Sequence, residues 1–267
     1  MSGSARHCRT SGIWPSRNFW TNMNARRSEH MAARYGVYYA PEEGSELEQF
    51  GSRWLGRSAA TGREIRQPGV PGLDREIVQI LTQAPRLYGF HGTLVPPFPL
   101  CRGCSSEDFR DKVAACARNL APIDLGPLEL RVLGSFLALV PAEAAGMEGL
   151  RALHETCLLA LHPFREPPSK AEMARRRARG LTPTQDRLLV RFGYPYVLEE
   201  YRFHLTLTDA VPDRERRAAL LEYLEFETRP LREGAHPVRE LCLFRQESPG
   251  EPFTIVERFP MGKEAEG

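Results

Sequence analysis

Residues 88–94 read Tyr-Gly-Phe-His-Gly-Thr-Leu, and residues 201–207 read Tyr-Arg-Phe-His-Leu-Thr-Leu. Five of the seven positions match, and the shared set includes a histidine from only 7 in the chain and a tyrosine from only 8. Repetition of scarce residues at fixed spacing points to a duplicated structural unit. Side chains of an extended chain alternate faces with a period of two. Read as strands, Tyr88–Val95 and Tyr201–Thr208 therefore each have one apolar and one polar face. In the second copy Tyr201, Phe203, Leu205 and Leu207 share the apolar face, opposite Arg202, His204, Thr206 and Thr208. In the first copy Tyr88, Phe90 and Leu94 lie opposite Gly89, His91, Thr93 and Val95. Each copy thus offers an imidazole beside a hydroxyl two residues on. Two such units facing each other would bring two imidazoles and two hydroxyls to one cleft.

The rest of the chain supplies the frame. Residues 31–40 read as a strand closed by Pro41, and Ser45 is placed to cap a helix running to about Leu55. A loop rich in Gly, Pro and Arg over 56–72 precedes a helix over Leu73–Leu81. Ser105 or Ser106 caps a further helix whose Phe109, Val113, Cys116, Ala117 and Leu120 fall on one face. Strands follow at 128–133 and 135–140, then a helix over Met147–Leu161. A basic helix or loop covers 170–179 and a short helix Asp186–Phe192. A helix over Asp213–Leu224 leads to closing strands at 238–245 and 253–259. Mixed strands and helices with irregular connections make this an α+β layout.

Composition narrows the function classes. The chain has 267 residues with 26% charged and a formal net charge of +2. That surplus sits in residues 1–30, where Arg6, Arg9, Arg17, Arg26 and Arg27 oppose only Glu29. The body is slightly acidic, which argues against a general nucleic-acid-binding protein. Residues 1–30 also show no periodicity and read as a disordered extension or the product of an upstream start site; the domain is expected over 31–263. No apolar run approaches the ~18–20 residues of a membrane span, and no secretory signal is visible. The 6 cysteines lack the pattern of a small secreted domain, so reduced thiols and a cytoplasmic location are expected. Cys101 and Cys104 have metal or redox spacing, but no second pair completes a site, and neither metal nor cofactor is expected.

Paired imidazoles suit phosphodiester chemistry. One removes a proton from the attacking oxygen while the other protonates the departing one, and an ordinary pKa near ~6.5 lets the two hold different protonation states near neutrality. The hydroxyls of Thr93 and Thr206 can donate to the non-bridging oxygens, where charge gathers in the transition state. Arg202 shares a face with His204, and Gly89 leaves space at the matching position. Arg176, in the run Arg175–Arg177 and Arg179, is either a phosphate contact or part of a solvated helix face. Gln185 is a further substrate-binding candidate. His154 has no visible partner pattern, and Thr208 faces Val95 in the other copy, so its loss is expected to be mild.

The motifs His91-Gly92-Thr93-Leu94 and His204-Leu205-Thr206-Leu207 resemble those of the two-histidine phosphoesterase superfamily. The surrounding text resembles its branch associated with phosphonate-utilisation operons. It includes Tyr38-Tyr39-Ala40-Pro41, Phe136 through Pro141, Arg175–Arg177 with Gly180-Leu181-Thr182 and Gln185, and Gly193 through Val197. That branch usually continues its first motif with lysine, alanine and proline, where this chain has Val95-Pro96-Pro97. The resemblance implies a bilobal fold with two similar antiparallel sheets facing across a central cleft. It also implies metal-independent hydrolysis of a small cyclic phosphate, such as a ribosyl cyclic phosphate, by His91 and His204. The implied partner is a small phosphate ester and not a membrane. A nucleoside 2′,3′-cyclic phosphate or RNA end, or a non-catalytic RNA- or nucleotide-binding module, is the alternative.

Overall fold

The computed structural model describes residues 33–262, so the expected N-terminal extension lies outside the described residues. The chain opens with β1 (Arg34–Tyr39), α1 (Glu46–Leu55), α2 (Arg75–Tyr88) and β2 (Gly92–Pro99). Then come α3 (Ser106–Arg118), the short β3 (Ile123–Asp124), β4 (Leu128–Leu133), β5 (Phe136–Pro141) and α4 (Ala144–Leu161). The second half holds α5 (Lys170–Arg177), α6 (Pro183–Phe192), β6 (Leu205–Thr206), α7 (Arg214–Arg232), β7 (Pro237–Val238), β8 (Glu240–Gln246) and β9 (Thr254–Pro260). The α+β class read from the sequence is what the chain forms. Local chemistry sets several boundaries: Ser45 and Ser105 accept from the N–H groups of Glu48 and Asp108, and Gly56 closes α1 in the left-handed region.

Neither copy of the repeat is a strand along its whole length, which corrects the expected bounds. Tyr88 is the last residue of α2, not the first of a strand. The apolar side of that helix runs on through Val78 and Ala84, and Gly89 then turns the chain at φ 77°, so pairing starts only at Gly92. Gly89 serves backbone geometry rather than leaving room opposite Arg202; a Cβ there would stand 2.5 Å from that of Ala59. The second strand is confined to Leu205–Thr206. α7 also continues past Leu224 to Arg232.

Alternation survives these corrections. Phe90, Leu94, Phe203, Leu205 and Leu207 are buried, while His91, Thr93, His204 and Thr206 are half-buried.

The strands form one antiparallel seven-stranded sheet in the order β4-β5-β6-β2-β1-β8-β9. The two expected antiparallel sheets are its halves, β2-β1-β8-β9 and β4-β5-β6. Between β2 and β6 the ladder has one pair, Gly92 with Leu205. Helices α3 and α4 cover one face, burying Phe109, Val113, Leu150, Leu153 and Cys157 against Tyr35, Val37 and Leu94. Tyr38 points to the opposite face, into a smaller cluster with Cys242, Phe244 and Phe253. The Trp54 indole of α1 donates to the carbonyl of Leu207 at 2.7 Å, tying that helix to the end of the second motif.

Two further expectations change. Cys101 and Cys104 are joined as a disulfide, because the turn before α3 brings their Cα atoms to 5.4 Å. Thr208 does not share the exposed face: it is buried and its hydroxyl accepts from the Leu137 N–H at 2.9 Å. Replacing it with Val would strand a buried donor rather than be mild. Among the described residues no helix is long and apolar enough to cross a membrane.

The joint between the halves yields a test. A Cβ at Gly92 would fall within the Phe203 ring. Gly92→Ala should therefore destabilise the fold by about 1–3 kcal/mol, the usual cost of overpacking. Phe203→Leu in the same chain should recover part of the loss, measured by urea unfolding.

Candidate active site

The Gly92–Leu205 pair fixes the geometry of the repeat. Antiparallel partners flank one another in reverse order, so His91 lies opposite Thr206 and Thr93 opposite His204. The four polar side chains share one face of the sheet, each imidazole beside a hydroxyl from its own strand and one from the other. Thr93 Oγ1 lies 3.5 Å from His91 Nε2.

The two rings are held alike. His91 Nδ1 is 2.9 Å from the Gly89 carbonyl, and His204 Nδ1 is 2.9 Å from the Arg202 carbonyl. A carbonyl oxygen only accepts, so each Nδ1 carries the proton and each neutral ring keeps its lone pair at Nε2. Around His91 stand Tyr38, with ring centroids 4.3 Å apart, Tyr88 at 5.6 Å and Phe244 at 5.9 Å. Phe136 lies 5.5 Å from the His204 ring.

This apolar setting depresses both imidazoles. Burial lowers His91 to about 4, the backbone hydrogen bond to Gly89 partly offsetting it and repulsion from His204 adding to it. Burial also lowers His204, again opposed by its backbone bond. The arrangement therefore offers two neutral proton acceptors on one face, close enough for the charge of one to be felt by the other. Bound anionic phosphate would favour protonation of either ring and turn it into a donor.

The other sequence candidates fare differently. Arg202 is exposed, and it is its carbonyl that serves the site. Arg176 pairs with Glu172 at 2.5 Å and lies over the Tyr194 ring at 5.0 Å. Gln185 is committed to structure: it completes a capping box with Thr182 at the start of α6, and its Nε2 donates to Glu200 at 2.9 Å. Among the described residues no group of three or more His, Cys, Asp or Glu is arranged to hold a metal.

His154, which the sequence left without a role, joins the two motifs from beneath. Its Nδ1–H donates to the Leu94 carbonyl at 2.6 Å, and its Nε2 accepts from the Leu198 N–H at 2.9 Å. Its ring stacks on Tyr201 at 3.9 Å and 2°, and the Tyr201 hydroxyl donates to the Thr93 carbonyl at 2.8 Å. Leu198, at φ 52°, is the one non-glycine residue of positive φ among those described, and His154 holds its N–H. No sequence signal marks His154, because its partners are backbone groups from two distant segments.

The chain belongs to the family described as a protein of unknown function, DUF1045, whose model matches residues 93–254. It is 35% identical over 252 residues to a protein of Janthinobacterium sp. (strain Marseille) named ribose 1,5-bisphosphate phosphokinase PhnN, covering 90% of this chain and 53% of that protein. A protein of the same name from Laribacter hongkongensis (strain HLHK9) is 33% identical over 230 residues, covering 83% of this chain and 50% of that protein. The chain thus spans about half the length of these curated relatives. Solved structures of a phosphoesterase and of E. coli LigT complexed with NADP+ align with 87% of the chain at 13% identity, with TM-scores of 0.37 and 0.38. A likeness of that size says nothing of activity.

His154 supplies the test of this architecture. Burial lowers its pKa, as it lowers those of His91 and His204. The unfolded chain therefore binds more protons than the folded one as pH falls below ~6.5. Stability should be complete above that value and decline as pH falls through it toward the lowered folded pKa values. His154→Ala should cost about 2–4 kcal/mol at pH 7.5 by stranding two buried backbone groups, and should flatten part of the pH dependence of the urea midpoint.

Proposed function

We propose that this protein hydrolyses a phosphodiester without a metal ion, using His91 and His204 as an acid–base pair. The observation that carries this reading is the matched tethering of the two Nδ1 atoms to backbone carbonyls, which leaves both Nε2 atoms on one face with Thr93 and Thr206. One Nε2 takes a proton from water as the water oxygen bonds to phosphorus. The opposing phosphorus–oxygen bond breaks, and the second imidazole, protonated, gives its proton to the leaving oxygen. The products are a phosphate monoester and a free hydroxyl. The two threonine hydroxyls donate to the non-bridging oxygens. His91, the ring pushed down to about 4, suits the neutral base, which leaves His204 as the acid.

We infer a ribosyl cyclic phosphate as the substrate. The relatives are named for a kinase acting on a ribose bisphosphate, and they are about twice as long as the matched region. Opening a ribosyl cyclic phosphate produces a ribose phosphate monoester, the class of compound that such a kinase takes. The kinase activity in that name stays with those proteins: this sequence has no G-x-x-x-x-G-K-[ST] phosphate loop.

Hydrolysis of ribosyl and nucleoside cyclic phosphates should proceed with EDTA present; loss with chelator and rescue by a divalent ion would sink the metal-free mechanism. His91→Ala and His204→Ala should each lower kcat by ~10²–10⁴, with the double variant far from additive. One imidazole must be neutral and one protonated, and both pKa values lie below the ordinary range. The kcat/KM profile should therefore be a bell peaking on the acid side of ~6.5. Thr93→Val and Thr206→Val should each cost about 1.5–3 kcal/mol of transition-state binding, the value of a hydrogen bond to a charged group. Thr→Ser at either position should cost much less. Equal activity of Thr93→Val and Thr93→Ser would remove the phosphate clamp.

A further inference from the structure

We propose that Tyr201 is a positioning residue for Thr93, so that the second motif aims the phosphate-binding hydroxyl of the first. This rests on the phosphodiester reading and adds to it a buried residue that acts on the reaction through another side chain.

Two consecutive carbonyls of β2 receive side-chain hydrogen bonds. The Tyr201 hydroxyl donates to that of Thr93 at 2.8 Å, and His154 Nδ1–H donates to that of Leu94 at 2.6 Å. The two donors form one unit, their rings stacked at 3.9 Å and 2°. The far nitrogen of His154 accepts from the Leu198 N–H at 2.9 Å, which anchors the stack to a third segment. Burial pushes the Tyr201 hydroxyl well above the ordinary tyrosine value, so it keeps its proton and remains a donor.

The consequence falls on the Thr93 side chain. A peptide is planar, so fixing its oxygen fixes the plane. The planes that follow Thr93 and Leu94 are both held, and with them the direction in which the Thr93 Cα–Cβ bond leaves the strand. That direction sets Thr93 Oγ1 beside His91 Nε2.

Strand pairing alone does not fix this residue. Between β2 and β6 the pairing is that of Gly92 with Leu205, one residue short of Thr93. On its other side Thr93 is aligned with Tyr38, where the register of β1 against β2 shifts between Val37 and Tyr38. Thr206 stands differently: it pairs with Ala138, and Leu205 before it pairs with Leu139. The ladder to β5 therefore holds the second threonine, while the tyrosine bond holds the first.

The repeat supplies a contrast. Tyr88 and Tyr201 occupy the same place in the two copies. Tyr88 closes α2 and stacks 5.6 Å from the His91 ring. Tyr201 reaches instead to the main chain of the opposite motif. The copies have thus divided the work, and the link runs from the second motif to the first.

Tyr201→Phe keeps the ring and its stack on His154 and removes only the donor. With a ribosyl cyclic phosphate, kcat should fall on the order of tenfold, as for a displaced rather than a missing group, with KM changed by less than about twofold. The pH profile should keep its shape, because neither catalytic imidazole is touched. In a double-variant cycle, Tyr201→Phe added to Thr93→Val should cost little more, since the hydroxyl it aims is gone. Added to Thr206→Val it should cost its full factor. A merely structural tyrosine would lower the unfolding midpoint and leave both cycles additive. Thermal unfolding fixes a temperature at which every variant is folded. Calorimetry with orthovanadate, an oxyanion that can take the five-coordinate geometry of the transition state, repeats the comparison without turnover. Tyr201→Phe and Thr93→Val should each weaken it, and the double variant should be no weaker than Thr93→Val. Vanadate bound in that pattern without hydrolysis of any cyclic phosphate would leave the positioning role standing and remove the phosphodiesterase reading. Wild-type turnover in folded Tyr201→Phe, or a loss that adds fully to that of Thr93→Val, would overturn the role.

Discussion

Everything that makes the two motifs one site passes through the pairing of Gly92 with Leu205. A ladder of one pair contributes little energy, since a net hydrogen bond is worth only about 0.5–1.5 kcal/mol. Its importance is positional. A slip by one residue in an antiparallel pair sends every side chain to the opposite face, which would carry His91 and Thr93 away from His204 and Thr206. The register is held from outside the pair. Phe203 sits on the bare Cα of Gly92, the Tyr201 hydroxyl bonds the Thr93 carbonyl, and His154 bonds Leu94 and Leu198 together. These contacts come from the buried face, opposite the one that carries the four polar side chains.

The repeat was legible because its chemistry depends on alternation, and alternation survives even where the strand itself does not. His91 and His204 lie outside the paired strand residues, yet the buried phenylalanine that precedes each, Phe90 and Phe203, keeps the rings on the common face. The same pattern misled where another rule took precedence. Tyr88 looks like a strand residue by spacing but belongs to the end of α2, because only Gly89 can take the turn at φ 77° that follows. Thr208 looks like a third site hydroxyl, but β5 captures it as a hydrogen-bond acceptor for Leu137. The Thr182-x-x-Gln185 spacing is a helix-start signature, and the structure completes it as a capping box. His154 carries no signature, since both of its partners are main-chain atoms that only the fold brings to it.

The electrostatic design follows from the same packing. The face beneath His91 is aromatic, and the Nδ1 atoms of both rings are held by backbone carbonyls. A carbonyl fixes the tautomer but stabilises a positive ring less than a carboxylate does, so burial prevails and both imidazoles are shifted toward the neutral form. A pair of neutral bases has no acid. Under the proposed reading the missing proton arrives with the substrate: an anionic phosphate between two uncharged rings makes protonating one of them favourable, and repulsion between the rings keeps the second proton off. Acid and base would then be assigned when phosphate binds, and an uncharged ligand in the same cleft would leave both rings as acceptors. The site would thus distinguish phosphate from neutral esters by charge before any contact reads the rest of the molecule.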